Sequence, residues 1–175
     1  MINSKEQYHH YLKEDLKMHG YSKWKIHYGF TNTMLLCQRK LRHIEYLKNC
    51  RKDFIGKFSY YILKYRFKKH CIKLGFTIGE NCFGPGLRLA HYGSIAVNGG
   101  TRVGANCVIH TDVNIGIHKG ECPTIGDNVY IGPGAKIFGG IVIGDNVRIG
   151  ANAVVNKNVS ANKVVVGIPA KEIVG

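Results

Sequence analysis

The 175-residue chain is long enough for one compact domain with a small appendage, and its 45% hydrophobic content is ordinary for a globular protein. Twenty-two glycines against four prolines argue against a disordered Pro/Gly-rich chain, and no run of about 18 apolar residues offers a membrane span. The net charge of +14 is uneven: residues 1–75 hold 17 Lys and Arg against five acids, and the rest holds eight against six.

The opening MINSKEQYHHYLKEDL lacks a charged segment leading into an apolar core, so it does not read as a secretory signal; a cytoplasmic setting is expected, with the inner face of the membrane as an option. Ser4 and Gln7 form a capping box, and Tyr8, Tyr11, Leu12 and Leu16 follow at helical spacing until Gly20. GYSKWKIHYGF reads as an irregular connection, after which Thr31 could cap a second helix through TMLLCQRKLRHIEYLKN. A third helix is expected from Asp53, with Phe54, Phe58, Tyr61, Ile62 and Tyr65 on one face, ending before Gly75. Its KYRFKKH stretch could attract an anionic surface, a lipid-linked acceptor or nucleic acid. The plainer reading is a solvated face whose cationic stems cover apolar surface; nucleic acid is not expected, because no base-reading motif is present.

The second half counts in sixes. Aliphatic residues fall at Ile72 and Ile78, at Val103, Ile109 and Ile115, and at Ile125, Ile131, Ile137, Ile143, Ile149 and Val155. Neither a helix nor a hairpin sheet has that period, whereas a coil of three short strands does: one inward aliphatic side chain per strand stacks on its counterpart a turn away. Residues 1–71 are therefore read as a basic α-helical region and 72–175 as a repeat domain with a C-terminal tail. The rhythm breaks twice, between Leu89 and Val97, where His91 stands, and between Ile115 and Ile125, where GIHKGECPT bulges out. Insertions in a repeat project as surface loops, where binding and catalysis concentrate. The six cysteines form no CxxC pair and no zinc-like spacing, so reduced thiols are expected; Cys122 reads as a small wall residue, not a nucleophile.

The repeats resemble those of hexapeptide-repeat acyltransferases, which implies an all-β left-handed parallel β-helix behind the α-helical segment and a homotrimer. From residue 72 onward the chain resembles the serine acetyltransferase branch: GLRLAHYGSIAVNGGTRVG stands where that branch carries its catalytic histidine. PTIGDNVYIGPGAKIFGGIVIGDNVRIGANAVVNKNV matches its C-terminal coils, and VVVGIPAKEIVG its closing segment. The resemblance implies transfer of acetyl from acetyl-CoA to a hydroxyl in a ternary complex. His91 is the candidate general base, since a neutral imidazole can take the alcohol's proton as the new bond forms. Asp112, Glu80 or a backbone carbonyl could orient it. A backbone N–H from Gly99-Gly100 or from the bulge could meet the oxyanion.

The resemblance also places Gly116, Pro133 and Ala151 along the acetyl-CoA groove, with Lys157 and Lys171 where cations could meet its phosphates. Tyr92 and His118 are candidate acceptor contacts, and His110 reads as structural. A metal centre of His91, His110 and His118, as in trimeric carbonic anhydrases, does not fit the spacing, so no metal is expected. Three departures bear on the acceptor. Ala90 replaces the aspartate that usually precedes the histidine, Cys122-Pro123 replaces a His-Pro, and KLGFTIGEN offers no clear acidic partner. In its paired H-x-G and CP-x-IG features the chain looks closer to colanic-acid and other surface-polysaccharide O-acetyltransferases, so a saccharide hydroxyl is the first expectation, L-serine the alternative. A basic scaffold binding nucleic acid or membrane is the non-enzymatic alternative.

Overall fold

In the computed structural model, which describes residues 1–173, helices and repeats are joined end to end; residues 174–175 of the expected closing segment lie outside the described residues. Four helices come first: α1 (Lys5–Met18), α2 (Tyr28–Thr31), α3 (Thr33–Cys50) and α4 (Phe54–Leu74). The strands are β1 (Phe76–Ile78), β2 (Arg88–Leu89), β3 (Ile95–Val97), β4 (Arg102–Val103), β5 (Val108–Ile109), β6 (Val113–Gly116), β7 (Thr124–Ile125), β8 (Tyr130–Ile131), β9 (Lys136–Phe138), β10 (Val142–Ile143), β11 (Arg148–Ile149), β12 (Val154–Val155), β13 (Val164–Val166) and β14 (Lys171–Ile173).

These strands form a three-sided prism. The first face is β1-β3-β6-β9-β12, the second β4-β7-β10, and the third β2-β5-β8-β11-β13, which β14 extends by turning back antiparallel. Every other pairing is parallel, and the register sets like on like: Leu89, Ile109, Ile131, Ile149 and Val165 stack along the third face. Val97, Ile115, Ile137 and Val155 stack along the first, and Val103, Ile125 and Ile143 along the second. All are buried, and a fully buried side chain of this size contributes about 1.5–3 kcal/mol, so the six-residue rhythm is the core itself. Ile72 is the exception: it lies in α4, 68% exposed, and its distance of six from Ile78 is coincidence.

The corner between the second and third faces turns through the left-handed region at Asn106, Asn128, Asn146 and Asn162. Asparagine tolerates that conformation better than other side chains, and here its amide is used as well. Asn106 Nδ2 donates to Asn128 Oδ1 at 3.0 Å, Asn128 to Asn146 at 3.1 Å, and Asn146 to Asn162 at 2.9 Å, a ladder running across coils.

The helices supply what the first coil lacks. A solenoid's first strands have no earlier coil to pair with, and their polar backbone must be satisfied or wet. Asp15 Oδ1 on α1 accepts the N–H groups of Gly86 and Leu87, both at 2.9 Å. Gln38 on α3 accepts from Leu89 N–H and donates to Leu87 O, and Glu45 Oε1 accepts from Asn81 N–H. Arg42, with no exposed side-chain surface, binds Asp15 and Glu45 and donates to the carbonyls of Phe83 and Gly84. The basic N-terminal region is therefore the lid of the repeat domain.

Local signals in the helices match in part. Ser4 accepts from Gln7 N–H, Asp53 accepts from Gly56 N–H, and Gly75 ends α4 in the left-handed conformation. The cap of α3 is Asn32 instead of Thr31: Asn32 Oδ1 accepts from Leu35 N–H, while the Thr31 hydroxyl donates back to His27 O. The connection expected to be irregular holds the one-turn α2, with Tyr21 stacked on Tyr28 at 4.3 Å. The helical region runs to Leu74, three residues past the expected boundary. Among the described residues, no helix is long and apolar enough to cross a membrane.

Candidate active site

Each turn of the prism visits three edges, and the two breaks in the rhythm fall on different ones. The first lies between the third and first faces: five residues join β2 to β3, where three suffice between β5 and β6. The longer loop is seated on the end of α4. Gly93 N–H donates to Leu74 O at 2.9 Å, and Ile95 N–H to Gly75 O at 3.1 Å. Gly75 adopts φ +80°, and a Cβ there would lie 2.8 Å from Gly93 O, so glycine both ends the helix and admits the loop.

That loop holds His91 and Tyr92 in solvent, Tyr92 at 74% exposure. The His91 ring makes no hydrogen bond among the described residues; its aromatic neighbour is His110, with ring centroids 5.8 Å apart. His110 in turn lies 5.1 Å from Tyr130, over which the Arg148 guanidinium sits at 4.7 Å. The histidine expected to be structural is thus next to the candidate base. Burial, then the neighbouring His91 and Arg88, lowers the His110 pKa and so favours the neutral ring.

The expected carboxylate partners do not reach His91. Glu80 stands on another edge and is held by Lys48 at 2.7 Å, Lys64 at 2.9 Å and the Tyr60 hydroxyl. Asp112 is exposed, and its backbone carbonyl accepts from Lys136 Nζ. No acidic side chain bonds the His91 ring among the described residues.

The second break lies between the first and second faces. It is a tight hairpin in which His118 and Glu121 exchange both backbone hydrogen bonds, at 3.0 and 3.1 Å, with positive φ at Lys119 and Gly120 between them. Two successive positive φ angles are the mark of the two-residue hairpin turn. The exposed His118 ring packs edge-on to Phe138 at 5.8 Å. Cys122 closes the bulge, its Sγ donating to Asn98 Oδ1 at 3.3 Å. Gly100 N–H is already bonded to Asn98 Oδ1 at 2.9 Å, which removes it as an oxyanion donor. The Lys119 and Gly120 N–H groups make no hydrogen bond among the described residues and remain candidates.

The cofactor residues expected from the sequence also divide between edges. Pro133 and Ala151 follow Ile131 and Ile149 by two residues, as His91 follows Leu89, so all three share one edge and are exposed along it. Pro133 and Ala151 thus form part of the exposed surface below His91 on that edge. Lys171, on β14, is exposed beyond its end. Gly116, at the end of β6 beside Phe138, and Lys157 are instead on the edge that carries His118. One protomer therefore carries these residues on two separate edges. Among the described residues, no three His, Cys, Asp or Glu side chains gather as a metal centre.

Comparison with known proteins agrees with this architecture. Residues 122–157 match the bacterial transferase hexapeptide family, six repeats, and such repeats indicate left-handed coiling. No curated protein sequence matches the chain. The serine acetyltransferase of Brucella abortus strain S19 superposes with a TM-score of 0.75 at 28% identity, over 96% of this chain and 69% of that one. The Neisseria gonorrhoeae serine acetyltransferase in complex with serine gives 0.74 at 28%, over 98% and 71%. The Brucella abortus enzyme in complex with coenzyme A gives 0.76 at 25%, over 97% and 68%. The likeness takes in the helical lid as well as the prism. Hexapeptide repeats on a left-handed β-helix, with a fold shared along almost the whole chain, support placing the protein in the hexapeptide acyltransferase class.

Proposed function

We propose that the protein is an acetyl-CoA-dependent O-acetyltransferase with His91 as general base, acting on a small hydroxyl acceptor, L-serine first. The observation that carries this reading is the likeness over helices and prism together to serine acetyltransferases, one of them holding serine. It moves L-serine ahead of the saccharide that the sequence alone favoured. In the proposed reaction a nitrogen of His91 accepts the acceptor's hydroxyl proton as that oxygen attacks the thioester carbonyl carbon. The tetrahedral oxyanion collapses with loss of the C–S bond, and the proton held on His91 passes to the leaving sulfur. Positioned base catalysis of this kind is worth about 10²–10⁴ in rate. Pro133 and Ala151 would flank the substrate arm on the same edge, and the free N–H groups of Lys119 and Gly120 could stabilise the oxyanion.

In this reading two edges must meet, which one prism cannot arrange for itself. A closed ring of three copies would set the His91 edge of one protomer against the His118 edge of the next, so we propose a homotrimer. A second acceptor reading, a saccharide hydroxyl, is supported by a specific feature: among the described residues no acidic side chain bonds the His91 ring, and Ala90 and Cys122 stand where the serine branch has polar groups. Thiol release from acetyl-CoA across a panel of L-serine, other hydroxy amino acids and mono- and oligosaccharides separates the two. Turnover with serine well above every sugar is expected; a sugar exceeding serine would reverse the acceptor assignment, and no release with any hydroxyl would end the proposal.

A further inference from the structure

The outward face of α4 is apolar and uncovered. Phe54, Phe58, Tyr61 and Tyr65 recur at three- and four-residue spacing, so they form one stripe, and Ile72 continues it two turns later. Their exposures run from 59% to 83%, whereas a soluble surface rarely aligns so many large apolar groups. The opposite face of the same helix buries Gly56, Phe67, Cys71 and Leu74 against the rest of the protein. The helix is thus apolar on two opposite sides, and packing within the protomer uses one.

Cations flank the free stripe. Lys57 and Lys68 stand along one side, with Lys64, which Glu80 holds; Arg66 and Lys73 stand along the other, and Lys69 lies over the Tyr65 ring at 4.8 Å. From residue 54 to 79 there is no Asp or Glu. A second copy laid on this face would bring two predominantly cationic borders together, which opposes self-association. An anionic lipid surface meets both demands: it takes apolar and aromatic side chains at the acyl boundary while long Lys and Arg stems reach up to the headgroups.

We propose that the outward face of α4 is a membrane-contact surface, lying flat on a bilayer that carries anionic lipid. The helix contacts the interface without spanning it. This placement does not depend on the acceptor or on His91, since it rests on α4 alone.

Sedimentation of the full chain with vesicles tests it without any activity readout. Binding to phosphatidylcholine vesicles containing phosphatidylglycerol should exceed binding to pure phosphatidylcholine and fall as salt rises. Removing cationic charge with Lys68→Glu/Lys69→Glu should weaken it by about fivefold or more per residue. Phe58→Ser/Tyr65→Ser, which keeps every charge, should weaken it about tenfold. Both pairs are exposed, so unchanged circular dichroism is expected for each. No vesicle binding, equal binding to neutral and anionic vesicles, or full binding by Phe58→Ser/Tyr65→Ser would overturn the proposal. Self-association that Phe58→Ser/Tyr65→Ser abolishes, without vesicle binding by the parent, would assign the face to a second copy and also overturn it.

Discussion

Replacing Arg42 with alanine should detach the helical lid from the prism. The guanidinium makes five hydrogen bonds of 2.6–3.2 Å, to both oxygens of Asp15, to Glu45, and to the carbonyls of Phe83 and Gly84. Burial opposes its charge, but Asp15 and Glu45 outweigh that and hold its pKa above the usual value. Arg42→Ala leaves two buried carboxylates and two carbonyls without this partner. Breaking such a buried network costs about 3–5 kcal/mol, a large part of the roughly 5–15 kcal/mol that holds a domain folded. In urea denaturation followed by circular dichroism, a loss of about 4 kcal/mol moves the midpoint down by about 2 M. The pH dependence gives a second signature. Glu45 already sits above its ordinary pKa because burial exceeds the pull of Arg42, and the variant raises it further. A raised folded pKa contributes stability below the unfolded value that is lost as pH rises, so the gap between parent and variant should widen from about pH 4 to 7. Amides of Gly86 and Leu87, which bond Asp15, should exchange faster in the variant. A gap under about 1 kcal/mol, or one that does not change with pH, would refute the role of Arg42 in joining lid to coil.

Asn128→Ala removes the middle of the asparagine ladder and leaves alanine at φ +57°, so a loss of about 1–3 kcal/mol is expected; a variant as stable as the parent would show the ladder to be incidental. Burial lowers the pKa values of His19, His43, His70 and His110, so their contribution to stability is present above about pH 6.5 and is lost as pH falls through the folded values. The melting temperature should therefore drop from about pH 7 to 5.5, and a flat or rising profile would contradict it. Cys122→Ser should keep most of any activity, because its thiol only lines the bulge and donates to Asn98; loss of about 10³ or more would mean chemistry at sulfur.

The core was legible because stacking is periodic: Val103 through Val155 announce their places by number alone. The same arithmetic misread Ile72, since a count of six cannot see that a helix covers one of its members until a left-handed glycine stops it at position 75. Caps at Ser4 and Asp53 are local chemistry and could be read; the choice of Asn32 over Thr31 depends on a back-bond from the threonine hydroxyl to His27 that sequence spacing does not encode. The lid network could not be read at all. Asp15, Gln38, Arg42 and Glu45 meet the first coil across separations of 36 to 72 residues, and in sequence each reads as an ordinary polar helix residue. For the candidate site, His91 was visible as a broken rhythm, but the neighbour it received is His110 one coil away instead of an acid.

The most direct test compares thiol release from acetyl-CoA by the parent and by His91→Ala, both checked for the same size and circular dichroism. Hydroxyl-dependent release by the parent, with His91→Ala slower by about 10² or more and unchanged in assembly, is the expected result. Release at the parent's rate by His91→Ala would contradict the assignment of the base and, with it, the reading of the first edge as the place where acetyl transfer occurs.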